Sequence, residues 1–151
     1  YCLIKYNNKY INIFNSHLNS DTPLIYSNSK NIPIVKKNQL TEFLIYFNKI
    51  IKNNKYIICD KKNIIYVIAG DLNLDFNSNL YTYFIENLKK KLNICFNENE
   101  IITDSIEKKQ VDYIINCYDK NLSIIPHEII YSYSTILKLS DHCPLIKKFI
   151  L

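Results

Sequence analysis

The stretch Val-Ile-Ala-Gly-Asp-Leu-Asn, residues 67–73, is the most informative part of this sequence. It closes an apolar run that begins at residue 64, as expected of a central strand covered on both faces. Gly70 is the only glycine among 151 residues, which predicts a backbone turn or a close approach that a Cβ would prevent. If the strand stays extended, Asp71 and Asn73 project to the same side and can hold an attacking water and a phosphoryl oxygen. The alternative is a Gly-Asp turn followed by an Asn helix cap.

Two other segments end in acid, amide or imidazole groups. Asn-Ser-His-Leu at residues 15–18 follows a predicted strand, which would deliver His17 to a loop. Ser-Asp-His-Cys-Pro at residues 140–144 contains Asp141, a hard oxygen ligand suited to Mg²⁺, and His142, which can act as a general base near neutral pH. Taken singly, each segment also fits ordinary polar surface.

The rest of the chain alternates between strand and helix patterns within one domain, residues 1–151. Apolar spacing of three and four predicts helices, alternation or apolar runs predict strands, and Pro, Ser and Asn predict a surface loop. The predicted elements are a strand at 10–15, a loop at 19–35, helices at 38–51 and 79–92, and strands at 64–69, 111–117 and 145–151.

The composition is strongly biased, with 28 Ile, 21 Asn, 13 Tyr and 19 Lys but no Arg. Such a bias is typical of an AT-rich genome, so frequent Asn and Lys are weak evidence of function. The net charge of +5 suits an anionic partner such as nucleic acid or an acidic membrane surface. The lysine pairs, at 36–37 among others, are scattered along the chain, which favours solvated surface positions instead.

The five cysteines form no metal-binding spacing and mostly lie within apolar runs, which predicts buried free thiols. No segment approaches the roughly 20 apolar residues of a membrane span. The chain starts at Tyr1 without an initiator Met, so we expect it to belong to a longer polypeptide.

Together, these segments resemble the endonuclease/exonuclease/phosphatase superfamily, whose DNase I-like domains carry four marks in order. The marks are a strand followed by N-x-H-L, then G-D-x-N, a D-Y strand and a terminal S-D-H-x-P. The chain has them at residues 15–18, 70–73, 112–113 and 140–144. The resemblance implies an α/β (α+β) fold, a two-layer β-sandwich flanked by helices.

Within that superfamily the chain is most similar to neutral sphingomyelinases of the bacterial type. His-Leu-Asn-Ser at 17–20 stands where that family has H-L-Q, and Val-Asp-Tyr-Ile-Ile at 111–115 resembles its L-D-Y-I-F. This implies a secreted, Mg²⁺-dependent phosphodiesterase that cleaves a sphingomyelin-type phospholipid at a membrane surface. The alternatives are an intracellular DNase I-like endonuclease that acts on DNA or RNA, and a catalytically inactive half-domain.

The resemblance also implies roles for residues that would surround the phosphate. Asp71 would orient the attacking water and contribute to the metal site, and Asn73 would bind a phosphoryl oxygen. His17 would stabilise the charge that develops on the phosphate or assist the leaving group.

The remaining roles concern the base and the metal. His142 would be the general base, held in its tautomer by Asp112, and Asp141 would be a carboxylate of the metal site. One or two Mg²⁺ ions would be the cofactor. In this superfamily the first half of the domain supplies the Glu that binds the principal metal, so this chain is expected to be the C-terminal portion, with the missing N-terminal half as its partner.

Overall fold

The computed structural model of the chain describes residues 1–6, 9–19, 32–53, 64–90, 92–95, 110–118, 129–131 and 145–147. These residues form strands and helices in mixed order. The elements are β1 (Cys2–Tyr6), β2 (Lys9–Asn15), α1 (Ile32–Asn53), β3 (Ile64–Asp71), α2 (Asn79–Lys89), β4 (Asn93–Cys95), β5 (Asp112–Tyr118), β6 (Ile129–Tyr131) and β7 (Leu145–Lys147).

Five of the strands form one mixed sheet in the order β1-β2-β3-β5-β4. β2 and β3 are parallel and are joined through α1, while the other neighbouring strands are antiparallel. β3 is the central strand, and its first five residues are all buried, as the apolar run predicts. β6 and β7 form a second, two-stranded antiparallel sheet, and β7 contacts β5.

Both helices pack on one face of the five-stranded sheet, where they form the hydrophobic core. Their apolar stripes meet alternate side chains of β2, β3 and β5. The largest fully buried apolar side chains include Leu40, Phe47, Ile68, Phe84, Leu88 and Ile115. The buried face of β2 contains Asn12, which is 0% exposed and accepts a hydrogen bond from the Tyr1 hydroxyl at 2.8 Å.

α1 differs most from its prediction. The expected loop at 19–35 is wrong for its last four residues, because the helix starts at Ile32 rather than at residue 38. Pro33 fits there, since the first turn of a helix leaves its backbone N–H groups without intrahelical acceptors. The longer helix places Lys36 one turn before Leu40 on the buried stripe.

α2 begins at its N-cap, Ser78, whose side chain accepts a hydrogen bond from the Tyr81 N–H at 3.2 Å. It ends at Lys89, three residues earlier than predicted. The predicted strands at 10–15, 64–69 and 111–117 correspond to β2, β3 and β5. β7 covers residues 145–147 of the strand predicted at 145–151, whose last four residues lie outside the described part. The sequence patterns did not predict β1, β4 and β6. β1 is largely exposed, and the described parts of β4 and β6 have three residues each.

Cys117 is a buried free thiol, as predicted, but Cys2 is an exposed one on the edge strand, contrary to that prediction. The side chains of the other three cysteines lie outside the described part. Of the helices in the described ranges, neither combines the length and apolar character needed to cross a bilayer.

Candidate functional site

The candidate site lies where the parallel strands β2 and β3 end. Parallel strands present their carboxyl ends at the same edge of a sheet, so the loops that follow them are neighbours. Hydrogen bonds continue this pairing past β2, from the Ser16 N–H to the Ala69 carbonyl at 3.1 Å and from the Leu18 N–H to the Asp71 carbonyl at 3.0 Å. His17 and Asp71 are therefore held at adjoining positions.

Gly70 permits this close approach of the two loops. Its φ of +128° lies in a region that L side chains rarely adopt. A Cβ at this position would lie 2.1 Å from the Ser16 carbonyl oxygen and 2.7 Å from the Asn15 Oδ1. Of the two predicted alternatives, the close approach is present, whereas Gly70 lies within β3 and not at a turn. The close approach and the positive φ together require the one glycine of the chain.

His17 and Asp71 face each other across the two loops. The His17 Nε2 lies 3.5 Å from the Asp71 Oδ2, within reach of an ion pair when the imidazole is protonated. The His17 side chain is 76% exposed and that of Asp71 is 19% exposed. An exposed imidazole beside a largely buried carboxylate can meet an incoming ligand while the carboxylate stays fixed by the protein.

Asn73 is close to Asp71, but not in the predicted manner. The extended conformation ends at Asp71, and Asn73 has a left-handed φ of +47°, so the expectation of two side chains on one side of an extended strand was wrong. The cause is a local hydrogen bond from the Asn73 N–H to the Asp71 Oδ1 at 2.9 Å, which closes a tight turn. A turn is therefore present, but it follows Asp71, whereas the alternative interpretation placed it at Gly70 and Asp71, which both lie in β3. The cap of α2 is Ser78 and not Asn73.

The Asn73 side chain joins the two loops. Its Nδ2 donates to the Leu18 carbonyl at 2.9 Å. An amide nitrogen carries two hydrogens, so the same group can donate to a second oxygen, such as one of a phosphate. This geometry is compatible with the expected contact to a phosphoryl oxygen.

Asp112 lies on the other side of Asp71. The two residues are register partners in the antiparallel β3–β5 ladder, so their side chains share one face of the sheet. A hydrogen bond from the Leu72 N–H to the Val111 carbonyl at 2.9 Å prolongs the pairing. The buried Tyr113 hydroxyl then donates to the Leu74 carbonyl at 2.6 Å and fixes the loop after β3.

Four of the six predicted site residues, His17, Asp71, Asn73 and Asp112, thus come from the ends of β2, β3 and β5. Asp141 and His142 lie outside the described residues. Among the described residues there is no group of three His, Cys, Asp or Glu side chains placed to hold a metal ion. Of the two expected metal carboxylates, Asp71 is described and fits a hard cation, because Mg²⁺ commonly takes one or two carboxylates and keeps several waters.

Two side chains from the first turns of α1 also contact the site loops, and neither was predicted to do so. The Lys36 ammonium donates to the Asn73 carbonyl, and the Gln39 Oε1 accepts a hydrogen bond from the Asn19 N–H at 3.1 Å. Lys36 is 2% exposed, so the prediction that the 36–37 pair is solvated was wrong for this residue. The signal that could have found it is its place on the apolar stripe, one turn before Leu40.

Comparison with solved structures identifies the fold as DNase I-like, which confirms the expected fold. The similar structures include a crystal structure of beta toxin from Staphylococcus aureus, at 16% identity and a TM-score of 0.62, with 98% of this chain and 55% of that chain covered. A second beta toxin structure, a mutant with bound magnesium ions, has 19% identity and a TM-score of 0.62 over 97% of this chain and 55% of that one.

A crystal structure of SmcL matches at 16% identity and a TM-score of 0.60, over 86% of this chain and 46% of that chain. The chain thus spans about half the length of the solved structures that it matches. No protein-family model matches the chain, and a search of curated proteins found no match.

Proposed function

We propose that residues 1–151 are the C-terminal portion of a Mg²⁺-dependent phosphodiesterase of the sphingomyelinase type. The observation that carries this proposal is the meeting of His17 and Asp71, at 3.5 Å, where two parallel strands of a DNase I-like fold end. Asn73 and Asp112 adjoin Asp71 through a hydrogen bond and through strand register. These residue types can bind a phosphate, orient a water and move a proton.

In the proposed reaction a water attacks phosphorus, and the bond from phosphorus to the leaving oxygen breaks. His142 accepts the proton of the water, with Asp112 holding its imidazole in the required tautomer. Asp71 orients the water, Asn73 donates to a phosphoryl oxygen, and His17 assists the leaving oxygen. Asp141 and Asp71 would hold Mg²⁺, which when bound supplies Lewis-acid stabilisation of the phosphate charge.

The substrate that we favour is a sphingomyelin-type phospholipid at a membrane surface, in which case the protein is secreted. Support comes from the resemblance of residues 17–20 and 111–115 to neutral sphingomyelinases and from the likeness of the fold to beta toxin and SmcL. The net charge of +5 favours a second candidate, a nuclease that acts on DNA or RNA.

The test is an assay of the natural reading frame that encodes this chain, with Mg²⁺, against sphingomyelin vesicles and supercoiled DNA in parallel. We expect cleavage of the vesicle lipid, which His17→Ala and His142→Ala reduce by at least about a hundredfold and which a chelator abolishes. His127→Ala, at the one histidine of the three that has no assigned role, is the matched control and should leave the rate unchanged.

Cleavage of DNA alone would replace the lipid substrate by nucleic acid. No cleavage of either substrate by a folded protein would overturn the proposal in favour of an inactive half-domain. Cleavage that survives both His17→Ala and His142→Ala would show that the assigned residues are wrong.

A further inference from the structure

The first turns of α1 contain an unusual group, a lysine side chain that is almost completely buried. Lys36 is 2% exposed, although lysine is rarely buried without a partner because the loss of its hydration costs free energy. The ammonium donates a hydrogen bond to the Asn73 carbonyl in the loop after β3. A charged donor makes a stronger hydrogen bond than a neutral one, so this contact can hold a loop that is otherwise strained.

The Asn73 backbone is strained in a way that needs support. Its φ of +47° is left-handed, a region that costs a non-glycine residue free energy even when the residue is Asn. The N–H of Asn73 bonds to Asp71 and its side chain bonds to the Leu18 carbonyl, so its carbonyl is the third point of attachment. Lys36 therefore completes the set of bonds that fixes this residue in space.

The same end of α1 contacts the other loop of the site. Gln39, three residues after Lys36 and on the same side of the helix, accepts the hydrogen bond from the Asn19 N–H at 3.1 Å. The helix thus holds the loop after β2 through Gln39 and the loop after β3 through Lys36. Its position sets the relative placement of the two loops.

We propose that Lys36 is a positioning residue, whose ammonium fixes the left-handed turn at Asn73. The fixed turn orients the Asn73 amide and the Asp71 carboxylate toward the ligand. The consequence for catalysis rests on the proposed phosphodiesterase function. The effect of Lys36 on the turn at Asn73 does not rest on that function, because it follows from the hydrogen bonds alone.

The test compares Lys36→Met, which keeps the length of the side chain without its charge, with Lys36→Arg, which keeps the charge and a donor. Lys49→Met, at an exposed lysine of the same helix, is the matched control. The first readout is amide hydrogen exchange at Asn73, measured against Ile68 in the centre of β3. We expect Lys36→Met to accelerate exchange at Asn73 by about tenfold or more with Ile68 unchanged. Lys36→Arg should restore most of the protection, and Lys49→Met should have no effect.

A second readout uses the unmodified chain, so it does not depend on whether Lys36→Met folds. A buried and hydrogen-bonded ammonium exchanges its protons slowly, so the Lys36 Nζ should give an observable proton–nitrogen signal with a cross-peak to Asn73. A missing signal would overturn the proposal. So would equal exchange at Asn73 in Lys36→Met and wild type, or equal acceleration at Asn73 and Ile68, which would indicate global destabilisation.

The third readout is kinetic and separates positioning from stability. If the wild type cleaves either substrate, Lys36→Met should lower kcat by about tenfold and leave KM within about twofold. The reason is that the Asn73 amide and the Asp71 carboxylate lose their orientation, while the surface that binds the substrate is unchanged. A wild type that cleaves neither substrate would refute the proposed function, and the first two readouts would still decide the role of Lys36.

Discussion

Asp71 and Asp112 are register partners at the last pair of the β3–β5 ladder, so two carboxylates share one face of the sheet at the candidate site. Like charges directly opposite each other in antiparallel strands are destabilising by fractions of a kcal/mol. A bound cation offsets this repulsion, and Mg²⁺ in proteins is commonly bound through one or two carboxylates. The pair therefore predicts a link between stability and divalent metal.

Asp112→Asn should raise the free energy of unfolding by about 0.2–1 kcal/mol in the presence of a chelator, because it removes one of the two facing charges. Mg²⁺ held by Asp71 and Asp141 should raise the Tm of the wild type. The effect should be smaller in Asp112→Asn, because this variant lacks the second negative charge beside the cation, and thermal unfolding with and without Mg²⁺ would measure it. Glu86→Gln, at an exposed carboxylate that forms an ion pair with Lys89 on the same helix, is the control. A variant that is less stable than the wild type in chelator would contradict this explanation of the pair.

Gly70→Ala should cost more than about 2 kcal/mol of unfolding free energy, since the added Cβ combines an unfavourable φ with a clash against the Ser16 carbonyl. Urea denaturation gives the value. Asn77→Gly is the matched comparison, because Asn77 also has a positive φ, +61°, and is exposed. That change should be neutral or slightly stabilising, and a tolerated Gly70→Ala would show that the loops can separate at little cost.

Tyr113→Phe should destabilise the protein by about 1–3 kcal/mol, because the buried Leu74 carbonyl loses the hydroxyl that donates to it. Chemical denaturation again measures the effect. Tyr83→Phe is the control: the hydroxyl of this half-buried residue lies at a longer 3.4 Å from the Thr41 Oγ1. Equal losses for the two variants would argue against a special role for the Tyr113 hydroxyl.

Tyr81 predicts how stability depends on alkaline pH. Burial raises the pKa of Tyr81 from 10.0 to about 12. In the unfolded chain the phenol loses its proton near pH 10, while the folded protein keeps the proton to about pH 12, so Tyr81 makes the folded state less stable as pH rises through this window.

The measurement is the difference in unfolding free energy between wild type and Tyr81→Phe at about pH 9 and about pH 11. We expect the difference to shift in favour of Tyr81→Phe at the higher pH. Tyr6→Phe, at a residue that is 55% exposed, should show no such shift. A difference that does not change with pH would mean that Tyr81 ionises alike in both states.

The parts of the fold that could be predicted are those with a local signal. The apolar run before Gly70 predicted the central strand, and the unique glycine predicted either a turn or a close approach, of which the structure shows a close approach, to Ser16. The sequence patterns also predicted that His17 and Asp71 follow the ends of strands. The distance between the two residues could not be predicted, because it depends on the parallel pairing of β2 with β3.

Other features depend on contacts between distant parts of the chain. The left-handed turn at Asn73 follows from a side-chain hydrogen bond that no periodicity reveals. Lys36 was predicted to be exposed because lysine side chains usually are, but it is buried. Pro33 was predicted to lie in a loop, so the start of α1 at Ile32 was missed. The pairing of Asp71 with Asp112 required the register of two strands. The roles of Asp141 and His142 remain predictions, since both residues lie outside the described part.

The hydrogen bond from Asn73 to the Leu18 carbonyl joins positions that are 55 residues apart in the sequence. During folding, such a contact can form only after the intervening chain has closed a long loop, with the entropy loss that this entails. The two loops of the site can therefore meet only when β2 and β3 lie side by side. A nascent chain that ends before β3 cannot form this contact, so the two loops of the candidate site can come together only after Asn73 has been synthesised.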